Sequence, residues 1–98
     1  MRNNSKLSYI EFLIDENVLG LARYLDTFDI KYRKVGDENC PPLKSDDPTV
    51  AKFAHKEKLI VLTNDDKLKK QCDLFGVKCV FNDLTDYARK IKEYADSN

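Results

Sequence analysis

Carboxylates that follow short apolar runs are the residues of this chain best suited to chemistry. The stretch "LIVLTNDDK" (59–67) passes from four apolar residues to Thr63, Asn64, Asp65 and Asp66, and "FLIDEN" (12–17) leads into Asp15. One carboxylate is enough to cap a following helix, so a second suggests a site. Crowded carboxylates repel one another unless protons or cations neutralise them. Oxygen ligands without a usable histidine or thiol suit a hard cation such as Mg²⁺ or Mn²⁺.

Such a metal site would support hydrolysis at phosphorus, because bound ions activate water and stabilise an in-line displacement. We expect Asp15 and Asp65 to be metal ligands and catalytic residues, with Asp47 or Asp66 completing the set. Asp46 competes with Asp47 for its place, and the sequence does not decide between Asp65 and Asp66. Helix capping alone is the alternative explanation, because Asp is a favoured N-cap residue.

Four β-rich runs alternate with four helical patterns along the chain. The strands are predicted at 9–14, 30–35, 59–62 and 77–81. The first helical stripe begins at Val18 with Asn17 as its N-cap, and the second follows Asp47 as cap with Pro48 in the first helical position. Gly76 closes the third stripe, and the last and clearest stripe begins at Leu84.

This alternation predicts one α/β domain over residues 1–98, with 1–8 as a loose N-terminal lead-in. We expect three layers, formed by a parallel sheet of about four strands with helices on both faces. Right-handed crossovers favour the strand order 2-1-3-4. Strands one and three then meet at the point where the order reverses, so Asp15 and Asp65 should face each other. The long segment 36–47 is predicted to be functional or mobile.

Composition narrows the functional classes. Apolar residues make up 42% of the chain and charged residues 35%, which favours a soluble globular protein. No apolar stretch is long enough to span a membrane, and no export signal is visible. Three cysteines at spacings that fit no zinc template indicate reduced thiols in a cytoplasmic protein. The 17 basic and 17 acidic residues cancel, so no overall field points to nucleic acid.

The segments "FLIDENVLGLARYL" and "VLTNDDKL" together resemble the PIN-like superfamily over roughly residues 10–95. The similarity is to small stand-alone PIN-like proteins and to the C-terminal RNase domain of Mut-seven-type exonucleases. It implies a metal-dependent ribonuclease, and many PIN domains are toxins of toxin–antitoxin pairs. By resemblance, Asp15 is the metal ligand after the first strand, Asp65 is the Asp of the T-x-D motif and Thr63 supports that turn. Asp47 resembles the acid that opens the second helix.

The chain departs from this family pattern at two places. The second Asp of the T-x-D-x-D-F motif lies one position early, at Asp66, and Leu68 replaces the aromatic residue. The acidic residue that toxin PIN domains carry on a longer helix has no clear counterpart.

The sequence therefore predicts a small Mg²⁺- or Mn²⁺-dependent ribonuclease. Arg23 and Lys67 are the candidates for phosphate contacts. The expected partners are an RNA substrate and a cognate antitoxin or other protein, and a homodimer is left open. The alternative is an inactive PIN-like module that binds RNA or a partner protein. A phosphoacceptor domain is disfavoured, because it needs a fifth strand that carries a lysine.

Overall fold

A four-stranded parallel sheet forms the centre of the protein. The computed structural model describes residues 10–82 and 84–97, apart from the side chains of 84–86. The strands lie in the order β2-β1-β3-β4, which confirms the predicted order and the α/β class. Their bounds are β1 Phe12–Ile14, β2 Tyr32–Lys34, β3 Ile60–Thr63 and β4 Cys79–Phe81. The predicted lead-in at 1–8 lies outside the described residues.

In the part of the chain that the structure describes, four α-helices and one 3₁₀ turn connect and follow the strands. The 3₁₀ turn spans Glu16–Val18. The helices are α1 Leu21–Thr27, α2 Asp47–Glu57, α3 Asp66–Phe75 and α4 Leu84–Ser97. None of the helices in the described part of the chain has both the length and the apolar character that a bilayer crossing requires.

The start of the first helix differs from the prediction. The Asp15 side chain accepts a hydrogen bond from the Glu16 N–H at 2.8 Å and so caps the 3₁₀ turn, while Gly20 precedes α1 without a side-chain cap. Asn17 lies inside the turn, so its predicted role as N-cap is wrong. The physical reason is that Asp15, at the strand end, reaches the first free N–H before Asn17 does.

The next two helices each begin after a pair of aspartates, and in each pair the first Asp is the N-cap. Asp46 accepts the Thr49 N–H at 2.9 Å and caps α2, so the prediction that Asp47 caps and Pro48 opens this helix is wrong. Proline is tolerated throughout the first helical turn, which is why the sequence does not distinguish the two registers. Asp65 likewise accepts an N–H of α3 and caps it. Gly76 ends α3 with φ 69, as predicted.

The main core lies on the sheet face that α2 and α3 cover. Leu13 of β1 and Val61 of β3 pack there against α2 and α3. The buried Val50 and Ala54 belong to α2. Cys72 of α3 belongs to the same cluster, as expected for a reduced core thiol.

The opposite face of the sheet carries α1. Ile14 points away from Leu13 because side chains alternate along a strand, and it is also buried. Tyr32 is in register with Phe12, and its hydroxyl donates to Asp26 of α1 at 2.7 Å. Helices therefore lie on both faces, in three layers.

The described part of the apolar stripe of α4, from Tyr87 onwards, is not buried. All side chains from 87 to 97 are exposed, including Tyr87 and Ile91. Amphipathic periodicity in a sequence indicates which side of a helix is apolar, but it does not show that this side has a partner.

Candidate functional site

The candidate site lies at the carboxyl edge of the two central strands. Ile14 of β1 pairs with Leu62 of β3, so the residues that follow them are neighbours. The Thr63 hydroxyl donates to Asp15 Oδ2 at 2.7 Å and accepts the Asp65 N–H at 3.0 Å. One side chain thus connects the two strand ends, at the position where α/β sheets commonly bind ligands.

Asp15 is the buried carboxylate of this edge, with 6% of its surface exposed. Burial is the main cause that raises its pKa above the ordinary value, because a charged group loses water there. The hydrogen bonds from Thr63 and from the Glu16 N–H oppose this shift, and the charges of Asp65 and Glu16 add to it. The Asp15 carboxylate is therefore fixed in orientation and held in surroundings that disfavour its negative charge.

Asp47 is the second acid whose charge is disfavoured. Its pKa is raised first by partial burial, then by the charges of Asp65 and Asp15, while Lys67 lowers it. Because Asp46 is the cap of α2, the Asp47 carboxylate is not engaged in capping. The negative charges of Asp15 and Asp65 both act on Asp47, and the positive charge of Lys67 opposes them there.

Other predicted site residues lie outside this group. Asp66 is exposed at the first position of α3, and Asn17 is exposed within the 3₁₀ turn. Asp46 is also exposed, and its hydrogen bonding to Thr49 lowers its pKa, as is usual for a capping carboxylate. The guanidinium of Arg23 lies 5.3 Å from the ring centre of Tyr24 on α1.

The donor chemistry of the edge fits a hard divalent cation, but the geometry fits one only in part. All the candidate donors are carboxylate oxygens, and Mg²⁺ is commonly held by one or two carboxylates and water. In residues 10–82 and 84–97, no three His, Cys, Asp or Glu side chains are grouped so that they could hold a metal ion. The described edge therefore offers no three-carboxylate cage.

Glu16 is the residue of the edge that the sequence analysis did not identify. Its Oε1 accepts the backbone N–H of Lys44 at 2.6 Å. This contact joins the edge to a loop 28 residues further along the chain. No local pattern signals such a pairing, because it depends on where the loop crosses the edge.

A groove of about 450 Å³ lies elsewhere, at the opposite edge of the sheet. Ile10, Leu59 and Val77, which precede or begin the strands, line it. It contains none of the candidate carboxylates, so the acidic edge is not part of this groove.

No family model, curated protein or solved structure matches the chain. A functional assignment therefore depends on the geometry and chemistry of the carboxyl edge.

Proposed function

We propose that the protein is a PIN-like, Mg²⁺- or Mn²⁺-dependent ribonuclease that hydrolyses phosphodiester bonds of RNA. The single observation that carries this proposal is the buried Asp15 at the reversal of strand order, which the Thr63 hydroxyl links to the Asp65 N–H. Reduced free thiols fit a cytoplasmic location. A role as the toxin of a toxin–antitoxin pair belongs to the same proposal.

The charge balance at Asp15 supports cation binding. A buried carboxylate without a positive partner destabilises the fold. In the described part of the chain, no lysine, arginine or histidine forms an ion pair with Asp15. A divalent cation held by Asp15 and Asp65 would supply the missing positive charge.

Each residue of the edge then has a distinct task. Asp15 and Asp65 would hold the cation, and Asp47 would orient a water molecule bound to it. Thr63 keeps the Asp15 carboxylate in one orientation through its 2.7 Å hydrogen bond. Lys67, whose charge acts on Asp47, would contact a phosphate of the RNA. When bound, the cation would lower the pKa of a coordinated water and stabilise charge on the phosphate oxygens.

Calorimetric titration with Mn²⁺ tests the proposal directly. We expect micromolar binding that Asp15→Asn and Asp65→Asn each remove. Asp73→Asn is the matched control, because Asp73 is an exposed carboxylate paired with Lys69 on α3. Binding by all three variants, or by none of the proteins including wild type at millimolar Mn²⁺, would contradict the proposal.

RNA cleavage is the second stage of that experiment. With Mn²⁺ present, wild-type protein should cut single-stranded RNA and leave 5′-phosphate ends, and Asp15→Asn should not. Cleavage that persists in Asp15→Asn, or that survives removal of divalent ions by EDTA, would show that another site or a contaminant is responsible.

A second candidate is a PIN-like module without catalysis that binds RNA or a partner protein. It is favoured by the lack of a three-ligand group in the described residues and by the engagement of both Asp15 oxygens in hydrogen bonds. Retained RNA binding without Mn²⁺ binding would support this alternative over the nuclease.

A further inference from the structure

The 36–46 loop, which connects β2 to α2, is folded on itself. The Gly36 N–H donates to the Pro41 carbonyl at 2.8 Å, and the Cys40 N–H donates to the Asp37 carbonyl at 3.0 Å. The Ser45 hydroxyl donates to the Pro42 carbonyl at 2.6 Å. These bonds define the shape of the loop, but none of them determines where the loop lies relative to the carboxyl edge.

One hydrogen bond ties this loop to the edge, from the Lys44 N–H to Glu16 Oε1 at 2.6 Å. The Val35 N–H, just before this loop, donates to the Ile14 carbonyl at 3.0 Å, and no other hydrogen bond among the described residues joins the 36–46 loop itself to residues 15–20 or 63–67. Lys44 has φ 69, a left-handed conformation that residues with a side chain adopt only under local constraint.

The position of this tether matters for Asp47. Asp47 follows Lys44 by three residues and begins α2. Its neighbours Asp15 and Asp65 come from β1 and β3, which the sheet holds rigidly. Where the loop lies therefore helps to set the distance of Asp47 from the other two acids.

We propose that Glu16 is a positioning residue, which holds the 36–46 loop to the carboxyl edge and so sets the place of Asp47 in the site. Its task is to accept one N–H and not to bind the cation. The consequence for metal binding rests on the proposed function, whereas the tether itself does not.

Two substitutions separate these tasks. Glu16→Ala removes the acceptor, and Glu16→Gln removes only the charge, because its amide oxygen can still accept the Lys44 N–H. Glu38→Ala is the control for loss of an exposed acid, since Glu38 lies within the same loop.

The first measurement is amide hydrogen exchange at Lys44 by NMR, without metal. Loss of a typical hydrogen bond predicts about tenfold faster exchange in Glu16→Ala. Exchange in Glu16→Gln and Glu38→Ala should stay close to wild type. Unchanged Lys44 exchange in Glu16→Ala would overturn the proposal.

The second measurement is Mn²⁺ affinity. Glu16→Ala should weaken binding several-fold, Glu16→Gln should not, and Glu16→Ala should add no further loss in an Asp47→Asn background. If Glu16→Gln and Glu16→Ala lose Mn²⁺ affinity equally while the Lys44 amide exchanges as slowly as in wild type, the positioning role is overturned and Glu16 is a direct ligand. If wild type binds no Mn²⁺, the proposed function fails, and Lys44 exchange still decides whether the tether exists.

Discussion

Replacing Thr63 by Val is the sharpest test of how the carboxyl edge is held together. Thr63 is 3% exposed, so its hydroxyl makes no compensating contact with bulk water. It donates to Asp15 Oδ2 and accepts the Asp65 N–H. Valine keeps the branched shape of the side chain and removes both hydrogen bonds.

The expected loss of unfolding free energy follows from these two bonds. A hydrogen bond to a charged group contributes about 1.5–3 kcal/mol, and leaving the Asp65 N–H unpaired adds to the loss, so we expect about 2–4 kcal/mol at pH 7. Thr63→Ser is the control, because it keeps the hydroxyl and loses one methyl group at about 1 kcal/mol.

The loss should also depend on pH. The Thr63 hydrogen bond lowers the folded-state pKa of Asp15, so removing it raises that pKa further. At pH values between the unfolded-state and folded-state pKa of Asp15, the native state binds more protons than the unfolded state. The unfolding free energy therefore falls as pH rises through this range. The deficit of Thr63→Val should therefore be smaller below pH 3.8, where Asp15 is protonated, than at pH 7.

Urea denaturation at pH 7 and at a pH below 3.8 measures the loss of unfolding free energy, and NMR titration of the Asp15 carboxyl carbon measures the change in its pKa. Equal losses for Thr63→Val and Thr63→Ser, or a deficit independent of pH, would refute the reasoning. Either result would mean that the hydroxyl does not stabilise the Asp15 carboxylate.

Three further predictions concern the caps and charges. Asp46→Ala should lower the thermal unfolding midpoint at pH 7 and Asp47→Ala should not, because only Asp46 accepts an N–H of α2. The loss of stability in Asp46→Ala should disappear as pH falls through the lowered pKa of Asp46, because the protonated side chain no longer stabilises the helix start as a carboxylate. Equal effects of Asp46→Ala and Asp47→Ala would contradict the assignment of Asp46 as the cap. Lys58 follows the last residue of α2 with φ 59, so Lys58→Gly should raise the unfolding free energy by about 0.5–1 kcal/mol. Lys56→Gly, within the helix, is the control and should lower the unfolding free energy by about 1 kcal/mol. A loss of stability in Lys58→Gly, measured by urea denaturation, would refute this prediction. Asp15→Asn should remove the loss of stability that wild type undergoes as pH rises above 3.8, and an unchanged pH profile of urea midpoints would show that Asp15 is not the group responsible.

Local patterns in the sequence were enough to predict the sheet. Continuous apolar runs alternating with helical stripes require parallel strands joined by helices, and handedness leaves the order 2-1-3-4 as a natural solution. The same order brings Asp15 and Asp65 to adjacent strand ends, because parallel strands all finish at one edge. That much depends only on periodicity and chain connectivity.

Which residue caps each helix is harder to predict from sequence than the strand order. Asp46 and Asp47 are both favourable at an N-cap, and so are Asp65 and Asp66, so propensity does not rank them. The structure selects the first of each pair, since each helix begins one residue later than its first Asp. This choice leaves Asp47 free of capping.

The α/β class, the strand order and the meeting of acids at one edge can be predicted from the sequence, because they follow from local periodicity and from the handedness of the connections between strands. The hydrogen bonds from Thr63 to Asp15 and from Lys44 to Glu16, and the exposure of the α4 side chains from 87 to 97, are visible only in the folded structure. Contacts between residues far apart in the chain depend on how the elements pack, and packing is a property of the whole fold.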